Sequence, residues 1–278
     1  MKIDEEKVRK NRSIVCHYTS LDALVKILHK DYICFWGTRY DSMNDPTDSI
    51  YGKDVVLPLV RDVINNAGLD DYEKDELESY PYVVSFSENY VDFIMWRMYK
   101  ADVALVFNRD KIAEYVIADK SESFVYFENC EYSDNEDELC RMFCEKMNVL
   151  NNGQGLMLAA HHSFVFFKRK EFENEKEVRL VKFDHEGFYV DGINSDKPLF
   201  VENEIPDNIG VRAIRNNDLI LYKEFHLPKV ALTGIIVNCK NDSHYERLKS
   251  HIRLWLNNQG YEQSINIEKS VSGNFINF

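Results

Sequence analysis

Residues 13–28 read SIVCHYTSLDALVKIL, an apolar run that changes abruptly into a helical pattern. The first part, SIVCHY, has the length and bounded apolar character of a short buried strand. Thr19 or Ser20 then offers a hydroxyl where a helix N-cap needs one, and Leu21, Leu24, Ile27 and Leu28 recur at helical spacing. No glycine-rich phosphate loop separates the strand from the helix, which disfavours a doubly wound nucleotide fold.

The pattern continues outward without a steady β-α-β rhythm. A β-rich run at 32–36 leads into the polar loop GTRYDSMNDPTDS, where Asn44-Asp45-Pro46 signals a turn. Residues 54–79 read as helical. Strands are expected at 82–86 and 102–107, flanking a helix at 91–100 whose apolar side carries Phe93, Met95 and Trp96. A strand near 123–131 precedes the helix EDELCRMFCEKMNVL, and KEVRLVKF alternates like another strand. The last third offers strands near 217–225 and 231–238, a helix opened by a Ser243-x-x-Glu246 capping box, and a closing strand at 264–268. The expected fold is α+β: one domain over 1–278, with helical insertions near 54–79 and 134–167 and no repeat or linker to divide it.

The chain has 278 residues, 34 Lys and Arg against 47 Asp and Glu, and a formal charge of −13. Duplex nucleic-acid binding rests on cations that neutralise phosphates, so this balance argues against it unless Lys168, Arg169, Lys170 and Arg179 gather on one side. The N-terminus is charged where a secretory signal needs an apolar core, and no run approaches a membrane span. A cytoplasmic protein with no membrane partner is expected. Six cysteines lack a framework spacing, and several sit in apolar runs, as reduced core cysteines do.

Standard catalytic signatures are absent. Cys140 and Cys144, with His161 and His162 downstream, suggest zinc at first sight. They also complete an apolar helical stripe with Phe143 and Met147, so they read as core, and no metal is expected. A second constellation joins three strand ends: Cys16-His17-Tyr18-Thr19, Ser85-Phe86-Ser87 and Glu175-Lys176-Glu177. On a strand, Ser85 shares a face with Ser87, and Glu175 with Glu177 and Arg179. Such an acid row also fits a solvent-facing charge ladder, Thr19 fits a cap, and Trp96 fits a core.

The pieces CHYTSLDALVKIL (16–28), MNDP (43–46), VVSFSENYVDFIMW (83–96) and FFKRKEFENEKEVRL (166–180) resemble, in this order, the motifs of the bacterial family called domain of unknown function 2971. That family is similar to ADP-ribosyltransferase-fold proteins. The resemblance implies a split, mixed or antiparallel β core that takes NAD as substrate. It implies Glu177 and Glu175 as catalytic acids, and His17, Tyr18, Thr19, Ser85, Ser87, Asn44 and Trp96 as the NAD-binding set. A first-motif His belongs with one branch of the fold, whereas paired serines with Glu-x-Glu belong with another. Phe172 and Val178 stand where the family commonly has Trp and Tyr.

The chemistry agrees with the residue types. Cleaving the nicotinamide–ribose bond develops positive charge on the ribose, which a carboxylate stabilises more in the transition state than in the ground state. Three readings follow: transfer of ADP-ribose to an unidentified protein or nucleic-acid acceptor or to water, a catalytically inactive NAD- or nucleotide-binding sensor or interaction module, and a nucleic-acid-modifying toxin or defence protein.

Overall fold

The run VALVFN is buried at five of its six positions, so it belongs in the middle of a sheet covered on both faces. In the computed structural model, which describes residues 13–43, 51, 58, 81–89, 93–118, 124–149, 165–183, 209–213 and 219–270, this strand is β4 (Val103–Asn108). It pairs antiparallel with β1 (Ile14–Thr19) on one edge and with β11 (Leu232–Val237) on the other. The strand β12 (Asn266–Lys269) adds parallel to β11. Beyond β1 the order runs through β3 (Tyr82–Ser87), β2 (Ile33–Arg39), β10 (Leu219–Leu227) and β9 (Ile209–Ala213). A small parallel pair, β6 (Glu131–Tyr132) with β7 (Phe167–Lys168), stands apart. The protein is mixed α/β with a mixed parallel and antiparallel sheet.

The sheet branches at β3. One edge of β3 pairs along its whole length with β8 (Glu177–Phe183), which carries β5 (Phe124–Asn129) on its far side. Its other edge meets β1 at Cys16↔Ser87 and β2 at Thr38↔Val83 and Arg39↔Tyr82. Between those ends Val84, Ser85 and Phe86 have no ladder partner on β1 or β2 among the described residues. The two strands therefore part from β3 over its middle.

Helices cover both faces. The larger core packs Leu24 and Ile27 of α1 (Leu21–Ile27), Ile112 of α3 (Arg109–Ala118), and Tyr245, Ile252 and Leu256 of α5 (Asp242–Asn258) against strand residues such as Val15, Phe35, Phe86 and Leu105. The smaller core sets Met95 and Trp96 of α2 (Phe93–Tyr99) against Cys16, Tyr18, Ala104, Val106 and Ile236. Fully burying one such side chain contributes about 1.5–3 kcal/mol.

Several local expectations are corrected. Of the two cap candidates it is Ser20 that caps α1, its hydroxyl accepting from the Ala23 amide at 3.1 Å, while Thr19 is still in the strand. Asn241, not Ser243, caps α5, because Asn241 keeps an extended backbone while Ser243 already lies inside the helix. The helix α3 was unsignalled because it follows β4 without a linker, with Asn108 accepting from the Lys111 amide. On α4 (Glu136–Val149), Leu139 is buried and Cys140 is half-buried; the side chains of Phe143, Cys144 and Met147, and His161 and His162, lie outside the described residues. So does the expected insertion at 54–79 apart from residue 58, and part of that at 134–167. Cys16, Cys34, Cys130 and Cys239 are buried, reduced cysteines.

Candidate active site

The site is assembled by register. Cys16, Ser87 and Glu177 form one lateral row across β1, β3 and β8. Ser87 is buried; its hydroxyl donates to the Glu175 carbonyl at 2.6 Å and accepts from the Asn89 amide at 2.9 Å. It ties the end of β3 to the segment that carries both acids.

Glu175 is not on the strand, which begins only at Glu177. It ends a 3₁₀ turn, Lys170–Glu175, and Lys176 takes a left-handed backbone (φ 43°) that swings the chain into β8. The two acids meet again through a cation. Lys168 Nζ lies 2.7 Å from Glu175 Oε2 and 2.7 Å from Glu177 Oε2. Arg179 Nε donates to Glu177 Oε1 at 2.9 Å and its Nη2 to Oε2 at 3.0 Å. All four residues are at most 6% exposed, so this is a buried ion network and not a solvent-facing ladder. Burial raises the Glu177 pKa, but the charges of Arg179 and Lys168 more than offset it and hold the carboxyl well below its usual range.

His17 fills the place where the sheet splits. Its Nδ1 lies 2.9 Å from the Ser85 carbonyl, in the stretch of β3 that lacks a ladder partner on that edge. A carbonyl only accepts, so Nδ1 carries the proton and Nε2 is an acceptor. Burial keeps the imidazole below its ordinary pKa despite that hydrogen bond, which favours the neutral ring. Phe35 and Phe86 hold it edge-on at 4.8 and 5.8 Å.

A cleft of about 680 Å³ lies at this split, within the usual ~300–1,000 Å³ of small-molecule sites. It is lined by His17, Tyr18, Thr19, Ser85, Ser87, Glu175 and Glu177, so seven of the nine expected residues converge. Tyr18 donates to the Asn89 carbonyl at 2.6 Å. Trp96 is corrected to a core role: it is 2% exposed and packs edge-on behind Tyr18 at 4.9 Å. Asn44 lies outside the described residues.

Of the many lining residues that the sequence reading did not place in the site, four bear most on its chemistry. Lys168 bridges the acids, and Phe172 packs its ring under that ammonium at 5.1 Å. Tyr99 lines the cleft with its hydroxyl pKa raised by burial and by the charges of Glu175 and Glu177. Arg212 on β9 donates from Nη2 to Thr38 Oγ1 at 2.7 Å, while its buried Nε has no partner among the described residues. No local motif marks these positions; only the Lys and Arg near the Glu-x-Glu element gave a signal. The remaining cations there are also met by acids, Arg169 by Glu171 and Lys170 by Glu173, which leaves no basic patch built from this group.

Comparison with protein-family models, with curated proteins and with solved structures finds no match to this chain.

Proposed function

We propose that the cleft binds NAD and that the protein is an ADP-ribosyltransferase-like enzyme, transferring ADP-ribose to a protein or nucleic-acid acceptor or to water. The reading rests on the resemblance to the domain of unknown function 2971 family and its split β core. The observation that carries it is the convergence of His17, the two serines and the two glutamates on one cleft.

The residues suit the parts of NAD. Arg212, which lines the cleft, offers a guanidinium to the diphosphate. His17 Nε2 accepts from a ribose hydroxyl, and Tyr18, Tyr99 and Phe172 supply ring faces for a planar base. Glu177 opposes the positive charge that grows on the ribose as the nicotinamide leaves. Lys168 has Glu175 as a second partner, so it can move off Glu177 without losing its counter-charge.

One observation favours a second reading, an inactive NAD-binding module. Both oxygens of Glu177 are already engaged by Arg179 and Lys168, which neutralises the charge that catalysis needs. Incubation with labelled NAD, scored for binding, nicotinamide release and label transfer, separates the two. We expect saturable binding that weakens in His17→Ala, with nicotinamide release. Binding without release or transfer selects the module, and no binding by the wild-type protein overturns both readings.

A further inference from the structure

A second cluster lies where β2 and β10 pair. Their antiparallel register sets His226 directly opposite Cys34, and Glu224, two residues along β10, shares the face of His226. The Cys34 sulfur, a Glu224 carboxylate oxygen and a His226 ring nitrogen all lie within 4.8 Å of one another, with Glu224 Oε2 3.0 Å from His226 Nε2. Tyr32 stacks on the His226 ring at 4.2 Å and on His29 at 5.2 Å, which fixes the plane of the imidazole.

We infer that Cys34, Glu224 and His226 form a site for a divalent transition metal, with zinc the best match, at the wall of the cleft. The donor set is the argument. Thiolate, imidazole and carboxylate together suit zinc, whereas the hard cations magnesium and calcium take oxygen ligands. Tetrahedral zinc with bonds of ~2.0–2.3 Å sets its ligand atoms roughly 3.3–3.6 Å apart, so the 3.0 Å pair needs little adjustment. The Glu224 side chain is 47% exposed and can rotate to make it while the His226 ring stays in place.

The charges balance. Binding releases the Cys34 thiol proton to solvent, leaving a thiolate, and moves the imidazole proton to Nδ1 so that Nε2 faces the metal. Thiolate and carboxylate then neutralise the dication. Three protein ligands leave a fourth position for water, the arrangement of zinc sites that keep an open coordination position. Cys34 also lines the cleft, so the metal adjoins the space proposed for NAD.

The test is titration of the full-length, metal-stripped protein with cobalt(II) and then zinc, without NAD, so that its outcome is independent of the NAD reading. We expect one cobalt per chain, a thiolate-to-cobalt charge-transfer band, its loss on adding zinc, and a rise in melting temperature with zinc. Cys34→Ser, close in size, should abolish the band. His226→Ala, at an exposed position, should weaken binding by more than the ~10–100-fold typical of losing an outer-shell partner. A wild-type protein with no charge-transfer band, a band that survives Cys34→Ser, or unchanged affinity in His226→Ala would overturn the site.

Discussion

Ser87 stands directly opposite Glu177 in the antiparallel β3–β8 ladder, and it is also the residue through which β3 pairs with β1. Its hydroxyl holds the Asn89 amide and the Glu175 carbonyl together. Ser87→Ala leaves both backbone groups without that partner in a buried setting, so we expect a loss of about 1–3 kcal/mol by urea unfolding. Ser85→Ala, at a half-buried position, should cost clearly less, because the His17 bond goes to the Ser85 carbonyl and survives.

Glu177→Gln removes from a buried ion network the carboxylate that Arg179 and Lys168 both engage. Breaking a buried ion pair from one side costs about 3–5 kcal/mol, so this variant should melt well below the wild type. A surface pair would lose no more than ~1 kcal/mol, and that smaller result would show the network to be dispensable. The pH dependence has a definite sign. The folded carboxyl titrates below its unfolded value of ~4.3, so its contribution is complete above that value and lost as pH falls through the folded one. The stability gap between wild type and Glu177→Gln should therefore narrow in acid.

His17 titrates below its unfolded value of ~6.5 because burial opposes its charge. Neutral His17 favours the folded protein fully above that pH, and the contribution is lost as pH falls and the unfolded chain takes the proton first. Melting temperature measured from pH 7 to 5 should fall less steeply in His17→Gln than in wild type. An equal slope in the two proteins would show that His17 does not carry this dependence.

Gly37 lies under the ring of Phe225, and a Cβ at this position would meet Phe225 Cε2 at 2.1 Å. The Phe225 ring belongs to the larger core, so it has little room to withdraw. Gly37→Ala should cost about 1–3 kcal/mol in thermal or urea unfolding, as overpacked cores do. Phe225→Leu in the same background should recover part of it.

The elements of this protein were legible wherever local pattern and burial agree. SIVCHY, YVVSF and DVALVF announced their strands because their apolar runs have strand length, and α5 announced itself by Tyr245, Leu248, Ile252 and Trp255. β9 was not legible, since Ile209–Ala213 is short, carries an arginine and gains its partner only from the β10 ladder. The meeting of His17, Ser87 and Glu177 was expected from resemblance, but the lateral row of Cys16, Ser87 and Glu177 that brings His17 beside them depends on which strands pair and in what register. Those are long-range choices that no local window encodes. Tertiary structure alone decided the surroundings of the acids: Lys168 reaches Glu177 from a separate two-stranded sheet, and burial converts what reads as a strand-face ladder into a buried ion network. It alone set Cys34 opposite His226 as well, because two strands distant in sequence become neighbours only when the sheet closes.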